Sequence, residues 1–436
     1  MPSFDIHYAE YRTIGRGSGP FIVLVIALLA FVVAGLAAAH WMDSQGHHIT
    51  GMNNRIVWGL PHIFAILLIV SASGALNIAS LSSVFGRKRY TPLARLSAVL
   101  AIALLAGGLM VLVLDLGRPD RLIIALTHYN PRSVFAWNVL LYSVFITVSG
   151  IYLGILLDPM ANDPKKAGWV RGIGIVALLW RLALTTGTGC IFGFLIARQA
   201  YDAAVMAPMF VAMSLSLGTA VFILVLCAAS RMAGRPRSDA AFDAAMRRLA
   251  RLQGIFVALA LYFVIVRHLT NLYAAEHGEI ERFLLIDGGI HPAIFWIGQI
   301  LLGALAPLVL LQGIPLMAGK PPSARAIVSA AGLVVVGGVA WLHGIVIGGQ
   351  AAPLEIFPGK EIIEGALIDG EPAGYAPTLF EFLLGLGGVA LALLIIVIAL
   401  RLLRILPESL PSDGGVDSEG TSAAPPASAS PSGGGG

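Results

Sequence analysis

Charge and cysteine are what this chain has least of. Of its 436 residues only 12% are Asp, Glu, Lys or Arg, against about 25% in soluble domains. So few charged groups cannot clothe a water-facing surface, and a soluble globular fold is excluded. With 57% hydrophobic residues and a mean hydropathy of +0.85, a polytopic membrane protein is the class that fits. The two cysteines, Cys190 and Cys227, each sit within an apolar run and in no CxxC or metal-ligand spacing. An iron–sulfur cluster takes about four thiolates, so the chain holds none by itself, and no metal site is expected. The pI near 9.1 comes from basic residues scattered over short loops, not from the clustered footprint of a nucleic-acid partner.

What is abundant is apolar sequence of spanning length, about 20 residues. Such runs recur near 20–41, 56–84, 94–116, 134–157, 169–197, 204–229, 250–275, 292–317, 324–347 and 378–403, which predicts an all-α protein of ten transmembrane helices. Ala37-Ala38-Ala39 resembles a signal-peptidase site. The run before it, about 20 residues, is longer than the usual signal core, so the first span is expected to be retained. The expected organisation is a polar N-terminal segment, 1–19, a membrane domain, 20–403, and a tail, 404–436. The tail is rich in Pro, Ser, Ala and Gly and is expected to be disordered.

Loop charge sets the orientation. With the N-terminus inside, nineteen Lys and Arg fall on one face and seven on the other, alternating correctly at every loop. Both termini are therefore expected in the cytoplasm. The outer loops are acidic: 348–377 carries Glu355, Glu361, Glu364, Asp369 and Glu371 against Lys360, and Glu276–Asp287 is acidic too. They read as a solvated face or as a docking surface for a soluble partner. Asn130-Pro131…Phe135-Ala136-Trp137 at the start of the fourth span has an echo in His291-Pro292…Phe295-Trp296 at the start of the eighth. This spacing suggests two four-helix bundles, spans 2–5 and 6–9, flanked by spans 1 and 10.

An ionisable side chain inside a span costs roughly 2.5–3.5 kcal/mol on the insertion scale and usually faces a cavity or a partner. Few are present. His62 follows Trp58-Gly59-Leu60-Pro61 at the start of the second span, Asp115 closes the third, and Asn138 and Tyr142 lie one turn apart on the fourth. Arg267, His268 and Asn271 lie in the outer half of the seventh span, His343 near the outer end of the ninth and Glu381 one turn into the tenth. Arg181 is near the midplane with no carboxylate in its own span. Nine of the ten histidines map to the outer half; a b-type haem needs two facing histidines, for which His62 with His268 or His343 is conceivable, but the outer bias gives no second pair across the membrane. A quinone head group needs hydrogen-bond donors at its carbonyls and an acceptor for its protons, and a histidine near its ordinary pKa of about 6.5 suits that exchange. His62 and Asp115 are the candidate proton-exchanging groups, and Arg181 and Glu381 are candidates for a proton pathway. Each has a plainer reading. His62 and Asn138 can be satisfied structural residues, Arg267 can pair with Asp115 or Glu381 to hold helices together, and Trp58, Trp137 and Trp296 sit where an aromatic belt is expected. A secondary transporter is the rival class; Thr185-Thr186-Gly187-Thr188-Gly189 offers a candidate midplane helix break. A structural membrane anchor is a third.

The most distinctive stretch is Leu114-Asp-Leu-Gly-Arg-Pro-Asp-Arg121, followed by Asn130-Pro-Arg-Ser…Phe-Ala-Trp-Asn138. With Trp58-Gly-Leu-Pro-His62 it resembles the NrfD/polysulfide-reductase-type (PsrC-like) membrane subunits. Ten spans rather than eight, and Gly74-Ala-Leu-Asn77, make it most similar to the DsrP-type subunits of sulfite-reduction-associated complexes. The resemblance implies a subunit of a bacterial cytoplasmic-membrane complex that exchanges electrons between the quinone pool, menaquinone or ubiquinone, and a ferredoxin-like iron–sulfur partner on the outer face. Further cytochrome and iron–sulfur subunits would complete the complex, and this chain would carry neither haem nor cluster. His62 matches the family's quinone-site histidine, and Asp115, Arg118 and Asn138 match the hairpin and helix that border it. Trp58, Tyr142, Arg267 and His268 are added as candidate lining residues.

Overall fold

Ten helices are long and apolar enough to cross a membrane: Gly19–Gln45, Leu60–Ser83, Lys88–Leu114, Val134–Leu157, Gly168–Gly193, Met206–Met232, Ala240–Tyr273, His291–Ala318, Ala324–Ala351 and Leu379–Leu402, here spans 1 to 10. They come from a computed structural model that describes residues 10–14, 19–158, 164–236, 239–353 and 372–411. The expected tail beyond 411, the segment 1–9 and the acidic stretch 354–371 lie outside the described residues. Span 2 is the most enclosed, with 89% of its apolar window buried, whereas span 1 has 22% and is exposed along most of its length.

Spans 2 to 5 pack on one another, as do spans 6 to 9. The two sets meet where span 6 lies against spans 2 and 5 and span 9 against span 2. Span 10 rests on spans 2 and 3, and span 1 packs on span 10. The crossing of spans 2 and 6 is a backbone contact: a Cβ on Gly74 would sit 1.6 Å from the Ser214 carbonyl oxygen, and one on Gly218 would sit 2.1 Å from the Gly74 carbonyl carbon. Only glycine permits that approach.

Three features of the spans differ from the sequence reading. Span 7 begins ten residues early, at Ala240 rather than 250, because Asp239 caps it by accepting from the Ala241 and Phe242 backbone N–H groups. The Thr185–Gly189 stretch is not a break. The helix runs on to Gly193, and the Thr185 and Thr188 hydroxyls donate back to the Arg181 and Leu184 carbonyls of their own helix. The discontinuity is instead in span 2, where one helix ends at Ala75 and the next starts at Asn77. Both described chain ends lie on the basic face. There Tyr11–Arg12 (β1) pairs antiparallel with Leu406–Pro407 (β2), and the guanidiniums of Arg235 and Arg248 donate to the Pro407 and Pro411 carbonyls.

Candidate functional site

The outer end of span 2 is fixed before its helix begins. Gly59 is the N-cap, extended, and Pro61 occupies the first turn, where its missing N–H has no helical partner to lose. A Cβ on Gly59 would lie 2.7 Å from both Glu381 Oε1 and Tyr375 Oη, so the turn needs glycine. The Leu60 N–H donates to Tyr375 Oη at 2.6 Å, and that hydroxyl donates to Glu381 Oε1 at 2.7 Å. Burial, then the neighbouring Glu381, push the Tyr375 phenol far above its ordinary range, so it stays a donor. Glu381 is fully buried and also accepts from the Gly51 and Thr378 N–H groups and the Thr378 hydroxyl. On the other side Gln350 grips the same turn: its Oε1 accepts from the Val57 and Trp58 N–H groups, and its Nε2 donates to the Trp58 carbonyl. Arg198 ties the Gln350 carbonyl to the Arg55 carbonyl.

This frame delivers His62 to the carboxylate that closes span 3. His62 Nδ1 lies 3.0 Å from Asp115 Oδ2, with the His side chain 19% exposed and the Asp side chain 2%. Neither Asp115 oxygen accepts a well-directed hydrogen bond from any described group. A buried carboxylate in that state has unspent acceptor capacity, and among the described residues the imidazole is its single neighbour at ion-pair distance. With Nδ1 turned to Asp115, Nε2 is the ring nitrogen left to meet a ligand. Trp58 stands above, its ring 6.2 Å from His62, 6.0 Å from Phe135, 5.7 Å from Phe192 and 6.5 Å from Tyr201. Aromatic rings thus gather around Trp58 beside the part-open His62–Asp115 pair.

Below the wall, Asn138 bridges spans 4 and 5. Its Nδ2 donates to the Val134 and Gly187 carbonyls, and its buried Oδ1 has no partner. Tyr142 lies one turn deeper, buried beside Thr188. Arg181, 3% exposed, sits at the span 2 discontinuity. Its Nη2 donates to Asn77 Oδ1 at 2.8 Å and its carbonyl accepts from the Ser73 hydroxyl, while Nε and Nη1 are buried without partners. Towards the basic face, the Tyr152 hydroxyl donates to Ser83 Oγ and the Ala79 carbonyl. Arg118 is not brought into this cluster. It lies on the surface, 63% exposed, paired with Asp120 at 3.2 Å, which holds the Asp120 carboxyl below its ordinary range. Trp137 is exposed and donates to the Pro131 carbonyl, as a belt residue would. Glu381 has the outer turns as its hydrogen-bond partners and does not join the Arg181 line.

Arg267 and His268 belong to a second cluster. His268 Nδ1 is 2.5 Å from Glu281 Oε2, Asn271 Nδ2 donates to Glu281 Oε1 at 2.7 Å, and Arg267 donates to the Ala200 carbonyl. Burial pushes the Glu281 carboxyl up, but its contacts with His268, Arg267 and Asn271 outweigh this and leave it below the ordinary range. The carboxylate facing Arg267 is thus Glu281, not Asp115 or Glu381. Arg267 still reaches the first cluster's edge, because the Ala200 carbonyl it holds precedes Tyr201, whose ring is 6.5 Å from that of Trp58. Sequence reasoning passed over Glu281, Gln350, Tyr375 and Tyr201. Glu281 alone carried a usable signal: Ile280, Phe283 and Leu284 around it are apolar at helical spacing and are buried.

The chain is similar along most of its length to membrane proteins of several redox complexes. It is 26% identical over 404 residues to the Hdr-like menaquinol oxidoreductase integral membrane subunit of Archaeoglobus fulgidus, covering 92% of this chain and 97% of that one. It is 28% identical to a putative dimethyl sulfoxide reductase membrane subunit of Halobacterium salinarum, covering 93% and 96%. It is 23% identical to a selenate reductase subunit of Mesobacillus selenatarsenatis, covering 88% and 94%. Residues 48–353, which contain the His62–Asp115 pair, the second cluster and spans 2 to 9, match the family model described as polysulphide reductase, NrfD, and the chain belongs to that family.

Proposed function

We propose that this protein is the quinone-reactive membrane subunit of a multi-subunit redox complex, inactive alone, and that its quinone or quinol binds beneath the Trp58 wall. The observation that carries this is the His62–Asp115 contact at 3.0 Å, part-open on the imidazole side and with carboxylate capacity to spare. In the oxidising direction each quinol hydroxyl loses its proton as an electron leaves. His62 Nε2 accepts the two protons one after the other, Asp115 stabilises the imidazolium and relays each proton towards outer water, and the two electrons go one at a time to a partner's iron–sulfur centres. Reduction runs the same steps backwards. Asn138 and Tyr142 line the inner wall, and Arg267 sets the field through Tyr201. The line Asn138, Tyr142, Thr188, Arg181, Asn77 is proposed as a proton route from the basic side. Glu381, with its acceptor sites filled, is assigned to holding the Trp58 turn.

The partner is proposed to be a ferredoxin-like protein docking on the outer hairpin, where Leu116, Ile123, Ile124 and Phe135 are exposed. By the loop-charge orientation this complex sits in a bacterial cytoplasmic membrane with both termini inside, the outer face being the acidic one. Menaquinone or ubiquinone serves equally in this scheme, and sulfur compounds are the proposed distal partners in electron exchange.

The test is turnover of the assembled complex. His62→Ala is expected to lower quinol-linked turnover by a factor of about 100 to 10,000, the usual share of general acid–base catalysis. Dye-linked activity of the partner proteins should be intact. Normal quinol-linked turnover in that variant would end the reading. The interrupted span 2 facing the unpartnered Arg181 N–H groups favours a second reading, a solute transporter. Solute uptake by the chain alone in vesicles would establish it.

A further inference from the structure

A cleft of about 490 Å³ opens on the basic face between the ends of spans 7 and 8, well away from the His62–Asp115 pair. Arg247 and Arg251 line one wall, one turn apart on span 7, and Lys320 closes the other side from the loop after span 8. Among the described residues none of the three pairs with a carboxylate. The loop is built rather than slack. Gly319, in the left-handed conformation, ends span 8, the Lys320 N–H donates to the Pro315 carbonyl, Pro321 and Pro322 follow, and Ser323 caps span 9. The membrane side of the cleft is apolar: Leu311 and Pro315 line it, and Leu316 and Met317 are 85% and 89% exposed.

We propose that this cleft binds the headgroup of an anionic phospholipid, with acyl chains running down the exposed end of span 8. Three cations without a carboxylate partner among the described residues, above exposed apolar side chains, match both halves of such a lipid and match no free solute as well. Basic pockets between helices at the cytoplasmic side are a recurrent solution for diphosphate headgroups. A two-phosphate lipid of the cardiolipin class fits three cations best. The site is independent of the redox chemistry and stands if the quinone reading fails.

The experiment is native mass spectrometry of the detergent-purified protein, alone and within its complex, titrated with cardiolipin, phosphatidylcholine or inorganic phosphate. Cardiolipin is expected to stay bound where phosphatidylcholine and phosphate are lost. Arg247→Gln/Arg251→Gln/Lys320→Gln should weaken it on the order of 100-fold, about fivefold per charge. Lys320→Gln alone, at an exposed site that folding does not depend on, should show the fivefold step. The control Arg87→Gln/Lys88→Gln/Arg404→Gln, on the same face, should leave binding unchanged. Equal loss in the site and control triples, equal retention of phosphate, or retention by the isolated chain but not by the complex would each overturn the proposal. The last would mean that another protein of the complex lies over the cleft.

Discussion

The outer ends of spans 2–5 and of spans 6–9 hold the same two chemical groups with different hydrogen-bond satisfaction. In the first, His62 faces Asp115 at 3.0 Å and the imidazole is 19% exposed. In the second, His268 faces Glu281 at 2.5 Å, the imidazole is 11% exposed, and Glu281 is fully buried where Asp115 is 2% exposed. Asp115 has no other good donor among the described residues, whereas Glu281 also holds Asn271 and sits beside Arg267. The covers differ as well. The short helix Leu122–Thr127 stands off the first end with Ile123 and Ile124 exposed, while Ile280, Phe283 and Leu284 fold the corresponding hairpin onto the second. A satisfied, covered pair holds a structure together, and an unsatisfied, open one can exchange protons with something else. The histidine–carboxylate pairing alone therefore does not mark a reactive site; spare hydrogen-bond capacity and access do.

This contrast can be broken from either side. The largest effect is expected in catalysis: Asp115→Asn should lower quinol-linked turnover about 100-fold or more, and Glu281→Gln should leave it within a few-fold in the complex that still assembles. Stability should reverse the ranking. Removing one member of a buried pair costs about 3–5 kcal/mol, so Glu281→Gln should lower the thermal midpoint far more than Asp115→Asn. Because the Glu281 carboxyl is depressed in the folded protein, its contribution should be constant from neutral pH down to about 4.3, the ordinary glutamate value. It should then fade as pH drops through the lower folded value. Unfolding scans against pH should show this acid-side loss in the wild type and not in the variant. Next come the groups that hold the Trp58 turn. Gln350→Ala strands three backbone groups and should cost about 1–3 kcal/mol, with a raised KM for quinol. Gly59→Ala, which drives a methyl into Glu381 and Tyr375, should cost about as much. Smallest is Arg118→Gln at the exposed hairpin, expected within about 0.5 kcal/mol in stability and within twofold in turnover.

The ten spans and their alternating loop charge were legible because apolar length and Lys/Arg placement are local properties of sequence. His62 and Asp115 were legible as costly groups at the same membrane depth. Their partners were not. Gln350 reaches the Trp58 N–H across 292 positions and Tyr375 reaches Leu60 across 315, and no periodicity encodes a contact between two irregular turns. Arg118 was expected to border the site because its motif matches the family's hairpin, but its side chain is exposed and paired with Asp120, two residues away. Glu281 was counted with an acidic outer face, where charge composition outweighed the apolar spacing around it. The candidate break at Thr185–Gly189 is not one because threonine hydroxyls can be satisfied by their own helix carbonyls, and the break in span 2 falls at Leu76, between Gly74 and Asn77, residues that were read for their resemblance and not as a helix end.

The central claim is that the first outer end, not the second, is where a quinone head group sits. A photoreactive quinone analogue, cross-linked in the assembled complex and mapped by peptide mass spectrometry, tests it most directly. Label in peptides holding Trp58, His62 and Phe135, abolished by excess quinol and by His62→Ala, is the predicted result. Label confined to the peptides holding His268, Glu281 and His343, or insensitive to excess quinol, would contradict it.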